Sequence, residues 1–216
     1  MHKTFFAALA LALAACASPA PQSQAPALTL EPYTFTARDG TTVDAERGAF
    51  EVPENRADPA SRKIKLSFVR FPSVSKTPGA PIVYLAGGPG GSGEGTATGP
   101  RFPLFMALRE VADVIAFDQR GTGSSNDIPF CAHEAPQTGD LDVTRDALVA
   151  YYREQLPRCF AWWESEGVDI DGYTTLESAH DLEDLRRALG AKKIDLWGIS
   201  YGSHLALAAL KHHPDS

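Results

Sequence analysis

One serine of this sequence stands between two glycines, in the pentapeptide Gly198-Ile199-Ser200-Tyr201-Gly202. An apolar run precedes it and an Ala- and Leu-rich segment follows, which predicts that the chain passes from a strand into a helix here. Such a corner leaves no room for side chains on the two glycines, and it holds the serine strained with its hydroxyl exposed. The pattern predicts that Ser200 is a catalytic nucleophile. A chance match in a loop is the alternative, and the flanking strand and helix argue against it.

A nucleophilic serine needs backbone amides that stabilise the oxyanion of acyl transfer. One is the N–H of Tyr201, at the helix start, where the backbone adds partial positive charge. The other comes from Gly87-Gly88-Pro89-Gly90-Gly91, a loop that follows the apolar run 81–86. We expect the amides of Gly88 and Tyr201 to form an oxyanion hole. A phosphate-binding loop is the alternative, but the segment lacks a Gly-Lys-[Ser/Thr] ending and a Gly-x-Gly-x-x-Gly spacing followed by an acid.

A third polar segment, Asp118-Gln119-Arg120-Gly121-Thr122-Gly123-Ser124-Ser125, follows the apolar run 111–117. Segments of this composition are rich in groups that hydrogen-bond to the backbone of turns. We therefore expect Asp118 and Arg120 to pin the loops around the site rather than to take part in the chemistry.

The scaffold for these motifs is predicted from alternating strand and helix patterns. Residues 29–50 form an antiparallel hairpin with its turn at Asp39-Gly40, and residues 63–71 alternate as a half-buried strand does. Short apolar runs that end in turns are typical of buried parallel strands, here 81–86, 111–117 and 193–197. Helical patterns cover 143–166, with a break or kink at Pro157, 175–189, which Gly190 ends, and 201–212. Strands that alternate with helices predict an α/β fold with right-handed crossovers.

The three motifs in this order resemble the proline iminopeptidase and tripeptidyl aminopeptidase family of serine hydrolases. The likeness spans about residues 30–216, and it includes one cysteine after the Asp-Gln-Arg-Gly segment and a second before the helix predicted over 175–189. It implies an α/β-hydrolase fold, with a mostly parallel sheet and helices on both faces, and a substrate cleaved at the N-terminal end of a peptide. Two positions help to place the sequence among the branches of this family. Ala86 stands where the family often has histidine, and Tyr201, where proline iminopeptidases often have tryptophan, favours the tripeptidyl aminopeptidase branch.

The base and the acid of a catalytic triad are missing from the pattern. In this fold the acid and then the histidine follow the nucleophile, and only residues 201–216 follow Ser200. The available side chains lie on the same helix as the serine, at its end, or before it in the chain: His204, His212, His213, Asp215, His133 and His180. We therefore expect residues 29–216 to be the N-terminal part of an α/β-hydrolase domain, incomplete at the C-terminus, with the cap, the later strands and both catalytic partners beyond Ser216. The chain alone is expected to be marginally stable and inactive.

Composition excludes some functions and leaves others open. The chain is 44% hydrophobic and 22% charged, as globular proteins are. Its net charge is -7 and it has no basic run, so nucleic acid is not an expected partner. The motifs imply no metal and no organic cofactor. Two functions besides a peptidase stay open: an esterase or lipase of the same fold, and a non-catalytic envelope lipoprotein that uses the scaffold for binding.

The N-terminus predicts export. Lys3 precedes the apolar stretch 5–15, which is shorter than the roughly 20 residues that a membrane-spanning helix needs. Leu13-Ala14-Ala15-Cys16 resembles the bacterial lipobox, which implies a signal peptide over residues 1–16, lipidation of Cys16 and a membrane anchor, with the protein in the periplasm or outer membrane. An ordinary signal peptide is the alternative. Residues 17–28 include a Pro-, Ala-, Gln- and Ser-rich segment that favours a flexible tether.

The two other cysteines, Cys131 and Cys159, would enter an oxidising compartment, where a pair tends to form a disulfide. A metal site is the alternative. Only His133 lies close to either cysteine and no Cys-x-x-Cys spacing occurs, so this alternative is weak.

Overall fold

The computed structural model describes residues 24–131 and 144–216. The strands in this part are β1 (Thr29–Thr36), β2 (Thr42–Pro53), β3 (Lys63–Phe71), β4 (Ile82–Leu85), β5 (Val114–Phe117) and β6 (Asp195–Gly198). The α-helices are α1 (Gly93–Ala97), α2 (Phe102–Leu108), α3 (Arg145–Ser165), α4 (Thr175–Ala188) and α5 (Tyr201–His212). Cys16, the predicted signal peptide and residues 17–23 of the predicted tether lie outside the described residues. None of the helices in the described ranges is long and apolar enough to cross a membrane.

The six strands form one mixed sheet in the order β1-β2-β3-β5-β4-β6. The predicted hairpin is confirmed, and β1, β2, β3 and β5 pair antiparallel in succession. Strand β4 pairs parallel with β5 on one side and with β6 on the other. The parallel part therefore consists of the three predicted apolar runs. Because β4, β5 and β6 run the same way, the three motifs that follow them lie at one edge of the sheet.

Helices cover both faces of the sheet, as predicted. Side chains alternate along a strand, so Val83 and Leu85 lie on one face of β4, and Tyr84 lies on the other. The first face packs with α4 and α5 through residues that include Leu185 and Leu205. The second face packs with α1 and α2, and the Tyr84 ring lies against the aromatic side chains of α2 and β6. This arrangement confirms the predicted α/β-hydrolase fold class.

The predicted helices are found, and two more are present. Helix α3 continues through Pro157, so of the predicted break or kink, the break does not occur. The helix is mostly exposed there, and water can satisfy the carbonyl that proline leaves without a donor. The sequence patterns did not indicate α1 and α2. Helix α1 is rich in glycine, a poor helix former, and it begins because the Ser92 hydroxyl accepts the amide of Gly95 at 2.8 Å.

A disulfide joins Cys131 to Cys159, as predicted, with 5.7 Å between the two Cα atoms. Both cysteines are fully buried. The bridge ties the end of the loop after β5 to α3, and the Trp163 indole N–H donates to the carbonyl of Pro129 at 2.9 Å beside it. These contacts attach an otherwise exposed helix to the rest of the fold.

Removing the bridge should destabilise the protein. Cys131→Ser combined with Cys159→Ser is expected to lower the free energy of unfolding by about 3–4 kcal/mol, because the bridge closes a loop that spans 28 residues and so restricts the unfolded chain. Urea unfolding of the oxidised protein and of the double variant measures the difference. The parent protein under reducing conditions is the control and should match the double variant. Equal stability of the oxidised parent and the double variant would contradict the prediction.

Candidate active site

Ser200 occupies the corner between β6 and α5, in a conformation that side chains rarely adopt. Its φ is 54° and its ψ is -120°, and it is the only non-glycine residue with a positive φ in the described part of the chain. Backbone strain of this kind costs about 1–3 kcal/mol and persists only where the surroundings enforce it. The residue is exposed at the helix start. The strained, outward-facing serine that the sequence predicts is therefore present.

Close backbone packing explains the two glycines around Ser200. A Cβ atom on Gly202 would lie 2.1 Å from the carbonyl oxygen of Leu85, and one on Gly198 would lie 2.5 Å from the carbonyl oxygen of Gly202. The same Leu85 carbonyl accepts the amide of Ile199 at 3.1 Å. The corner is thus pressed against the end of β4, so a side chain on Gly202 would push it away, and a side chain on Gly198 would push α5 away from the end of β6.

The glycine-rich loop after β4 lies directly beside the serine. A Cβ atom on Gly87 would lie 2.9 Å from the Ser200 Cβ and 3.4 Å from its Oγ. Gly88 follows with a φ of 121°, which glycine adopts readily. Tyr201 is the first residue of α5, so its amide belongs to the turn whose N–H groups have no partner within the helix. The structure brings the expected oxyanion loop and the nucleophile together; the roles of the Gly88 and Tyr201 amides stay predictions.

Asp118 holds together the loops that surround this corner, as the sequence predicts. Its buried carboxylate accepts the Ser92 hydroxyl at 2.7 Å, the Ser124 amide at 2.7 Å and the Glu94 amide at 3.1 Å. Two donors from the start of α1 and one from the loop after β5 therefore converge on one side chain. This is a structural role, because each bond satisfies a protein group.

Arg120 also pins loops, and it does so through an ionic network that the sequence did not reveal. Its guanidinium makes two bonds of 2.7 Å to Asp181 on α4, and it donates to the carbonyls of Glu54 and Gly172. Arg56 adds a bond of 2.8 Å to the same Asp181 carboxylate. Asp181 is fully buried, and Arg120 is almost so. Acidic residues at helical spacing on α4 were the only available signal, and such a face is more often solvated.

The histidines of the described residues take no part in a triad with Ser200. The ring of His204 packs against the ring of Tyr201, with 5.9 Å between their centroids. His180 and His213 form a hydrogen bond with each other, 2.8 Å between Nδ1 and Nε2. In residues 24–131 and 144–216, no histidine or carboxylate is hydrogen-bonded to the Ser200 hydroxyl. These ranges also hold no group of three or more metal-ligating side chains. His133 lies outside the described residues.

The pair of His180 and His213 should make stability depend on pH. Burial lowers the pKa of both rings below their ordinary value of 6.5, and the neighbouring Arg56, for His180, and His180, for His213, lower it further. Nearby carboxylates act in the opposite direction: Glu177 and Asp181 for His180, and Glu183 and Asp184 for His213. Below about pH 6.5 the unfolded chain binds protons that the folded chain does not, so the folded state loses stability as the pH falls.

We expect His213→Gln to reduce this loss of stability, because the variant removes one of the two depressed pKa values. Urea unfolding of the parent and the variant at several pH values between 7 and 5 measures it. This range lies above the ordinary pKa of Glu183, 4.5, which Arg186 and, less strongly, His213 lower further, so this carboxylate stays charged in both proteins. The same fall in unfolding free energy in the two proteins would show that the pair does not titrate as argued.

Comparison of the sequence with known proteins supports both the α/β fold and the strand–turn–helix corner at Ser200. A family model described as alpha/beta hydrolase fold matches residues 80–216, which include both glycine motifs and Ser200. The chain belongs to the α/β-hydrolase fold family. The resemblance drawn from the three motifs is thereby confirmed at the level of the family.

The individual relatives include two that are named as peptidases and one that is named as a hydrolase. The chain is 31% identical to tripeptidyl aminopeptidase of Streptomyces coelicolor over 186 residues, which are 78% of this chain and 32% of that protein. It is 28% identical to serine protease Hip1 of Mycobacterium tuberculosis over 176 residues, 77% of this chain and 33% of that protein. It is also 29% identical to the putative hydrolase YuaR of Escherichia coli over 154 residues, 71% of this chain and 29% of that protein. The chain thus matches about a third of the length of these curated relatives.

Proposed function

We propose that this chain is the nucleophile-bearing part of a serine hydrolase that acts by acyl transfer through Ser200. The observation that carries the proposal is the strained, exposed conformation of Ser200 against the backbone of Gly87. Backbone strain of this kind clusters at active sites, where it holds a reactive group in position. Here it holds an exposed hydroxyl at the start of α5, beside the glycine-rich loop.

In the proposed reaction, the Ser200 Oγ attacks the carbonyl carbon of the substrate and gives its proton to a base. The carbonyl oxygen becomes an oxyanion, which the amides of Gly88 and Tyr201 stabilise. The leaving amine takes the proton from the base and departs, which leaves the acyl group on Ser200. Water then attacks this ester and gives a proton to the base, and the base returns the proton to the Ser200 Oγ as the acid leaves. The base and its orienting acid come from outside the described residues. We accordingly propose that the 216-residue chain does not turn over substrate by itself.

We further propose that the substrate is the N-terminal end of a peptide and that the enzyme works outside the cytoplasm. The relatives named tripeptidyl aminopeptidase and serine protease support the first point. The disulfide, a bond typical of oxidising compartments, supports export, and the segment 13–16, which resembles a lipobox, supports lipidation at Cys16.

The test uses the full-length gene product that contains this sequence. A fluorophosphonate probe should label it, and peptide mass spectrometry should place the label on Ser200. A tripeptidyl anilide with a free amino terminus should be cleaved at least about tenfold faster than its N-acetylated form, a ratio that corresponds to about 1.4 kcal/mol in transition-state binding. Preference for p-nitrophenyl esters without regard to a free amine would favour an esterase. Absence of both labelling and turnover would overturn the assignment.

A further inference from the structure

Gln119 is a buried amide side chain that the proposed mechanism does not use. It follows β5 and is only 5% exposed, and its Nε2 donates to the carbonyl oxygen of Ala86 at 3.0 Å. The backbone of the residue is fixed on both sides, since Asp118 donates its amide to Ser67 and Thr122 donates its amide to the Gln119 carbonyl. A buried amide loses free energy if its hydrogen bond is broken, so the bond to Gln119 holds the Ala86 carbonyl in its present direction.

The Ala86 carbonyl lies where the glycine-rich loop meets the nucleophile corner. Ala86 directly follows β4, and its carbonyl belongs to the peptide unit that leads into Gly87, the residue beside Ser200. The same oxygen would be 3.1 Å from a Cβ atom on Gly202, so it also lies against the first turn of α5. A change in the direction of this one carbonyl would therefore be felt both in the loop and in the first turn of α5.

Two consecutive peptide planes determine where the Gly88 N–H points. The plane between Ala86 and Gly87 is held by the bond from Gln119. The next plane contains the Gly87 carbonyl and the Gly88 N–H, and it is held by the Gly91 amide, which donates to that carbonyl at 3.0 Å. Glycine offers little resistance to rotation at these positions, so external hydrogen bonds must set both planes. Without the bond from Gln119, the first plane would lose its fixed direction.

We infer that Gln119 is a positioning residue for the oxyanion hole, because its side chain fixes the peptide unit that precedes the one carrying the Gly88 N–H, and so helps to set the direction of that N–H beside Ser200. This inference rests on the proposed function, and it deepens that function by assigning a residue that touches neither substrate nor nucleophile. Loss of one oxyanion donor lowers kcat by about 10²–10³-fold in serine hydrolases. A donor that is present but misaligned should cost less, about 10–100-fold.

The test compares Gln119→Met with Ser73→Ala in the full-length gene product. Methionine keeps the length of the side chain but has no donor. Ser73 provides the matched control, because its hydroxyl donates to the carbonyl of Arg109 at 2.7 Å, a bond of the same kind. It follows β3, whose last residue pairs with the first residue of β5, so it lies at the opposite end of the parallel strands from Ser200.

Gln119→Met should lower kcat for the peptide anilide by about 10–100-fold and leave KM within about twofold, since an oxyanion hole acts on the transition state. The rate of fluorophosphonate labelling should fall in parallel. Ser73→Ala should change neither by more than about twofold, whatever its effect on the melting temperature. If the methionine variant does not fold, Gln119→Asn, whose shorter amide does not reach Ala86, should show the same loss.

The outcomes separate this inference from the proposed function. An active parent whose Gln119 variants behave like Ser73→Ala would overturn the inference alone. Equal losses in kcat for the Gln119 variants and Ser73→Ala would also overturn it, because they would reflect general destabilisation. A parent that neither labels nor turns over would overturn the proposed function, and the inference with it.

Discussion

Ser200→Ala in the full-length gene product should abolish fluorophosphonate labelling and lower kcat for peptide anilides by about 10⁶-fold. The variant removes the oxygen that attacks the carbonyl carbon, and no neighbouring hydroxyl shares its position at the end of β6. A small residual rate is expected, because the oxyanion amides and the binding surface remain. Initial rates at saturating substrate, together with gel-based detection of the label, measure both effects.

Ser203→Ala is the matched control for this variant. Ser203 lies in the first turn of α5, three residues after Ser200, and its hydroxyl donates to the Gly198 carbonyl at 3.1 Å. It is also exposed, so it tests whether any accessible serine of α5 takes the label. We expect Ser203→Ala to keep labelling and to keep kcat within about threefold, as is usual for surface substitutions. Labelling that survives in Ser200→Ala and disappears in Ser203→Ala would refute the assignment of the nucleophile.

The corner around Ser200 could be predicted because its constraints are local. Two glycines at fixed spacing, an apolar run before them and a helical pattern after them suffice to define a strand–turn–helix unit. The strands after which the motifs fall were equally visible, since buried parallel strands consist of short apolar runs. In the structure, β4 pairs parallel with β5 and β6, and this pairing brings Gly87, which follows β4, beside Ser200, which follows β6.

The parts that sequence reasoning missed depend on contacts between distant residues. Helix α1 begins at Ser92 in a glycine-rich stretch, where propensity opposes a helix and tertiary contacts, including the Ser92–Asp118 bond, stabilise it. The ionic network around Arg120 joins residues separated by 61 positions, Arg120 and Asp181, and nothing in either local sequence indicates the partner. The bond between Gln119 and Ala86 spans 33 positions and was invisible for the same reason.

The same network leads to the second large effect, on stability. Arg120→Met should lower the free energy of unfolding by about 3–5 kcal/mol, the usual cost of removing one partner of a buried ion pair. The variant leaves the fully buried Asp181 carboxylate with Arg56 alone, and it deprives the carbonyls of Glu54 and Gly172 of their charged donor. Urea unfolding followed by circular dichroism measures the loss.

Arg158→Met is the control, because Arg158 forms an exposed ion pair of 2.8 Å with Glu154 one helical turn away on α3. An exposed pair of this kind contributes about 0.3–0.5 kcal/mol, so the control should hardly differ from the parent.

Combining Arg120→Met with Asp181→Leu should restore part of the stability, since the unpaired carboxylate is then gone and Arg56 keeps its bond of 2.7 Å to Asp184. If the double variant were less stable than Arg120→Met, loss of packing rather than the unpaired charge would explain the effect. Arg120 holds α4 to the loop after β5, and the Thr175 hydroxyl at the start of α4 lies 2.9 Å from the Tyr201 hydroxyl. Loss of the ionic network should therefore also disturb the corner that carries Ser200.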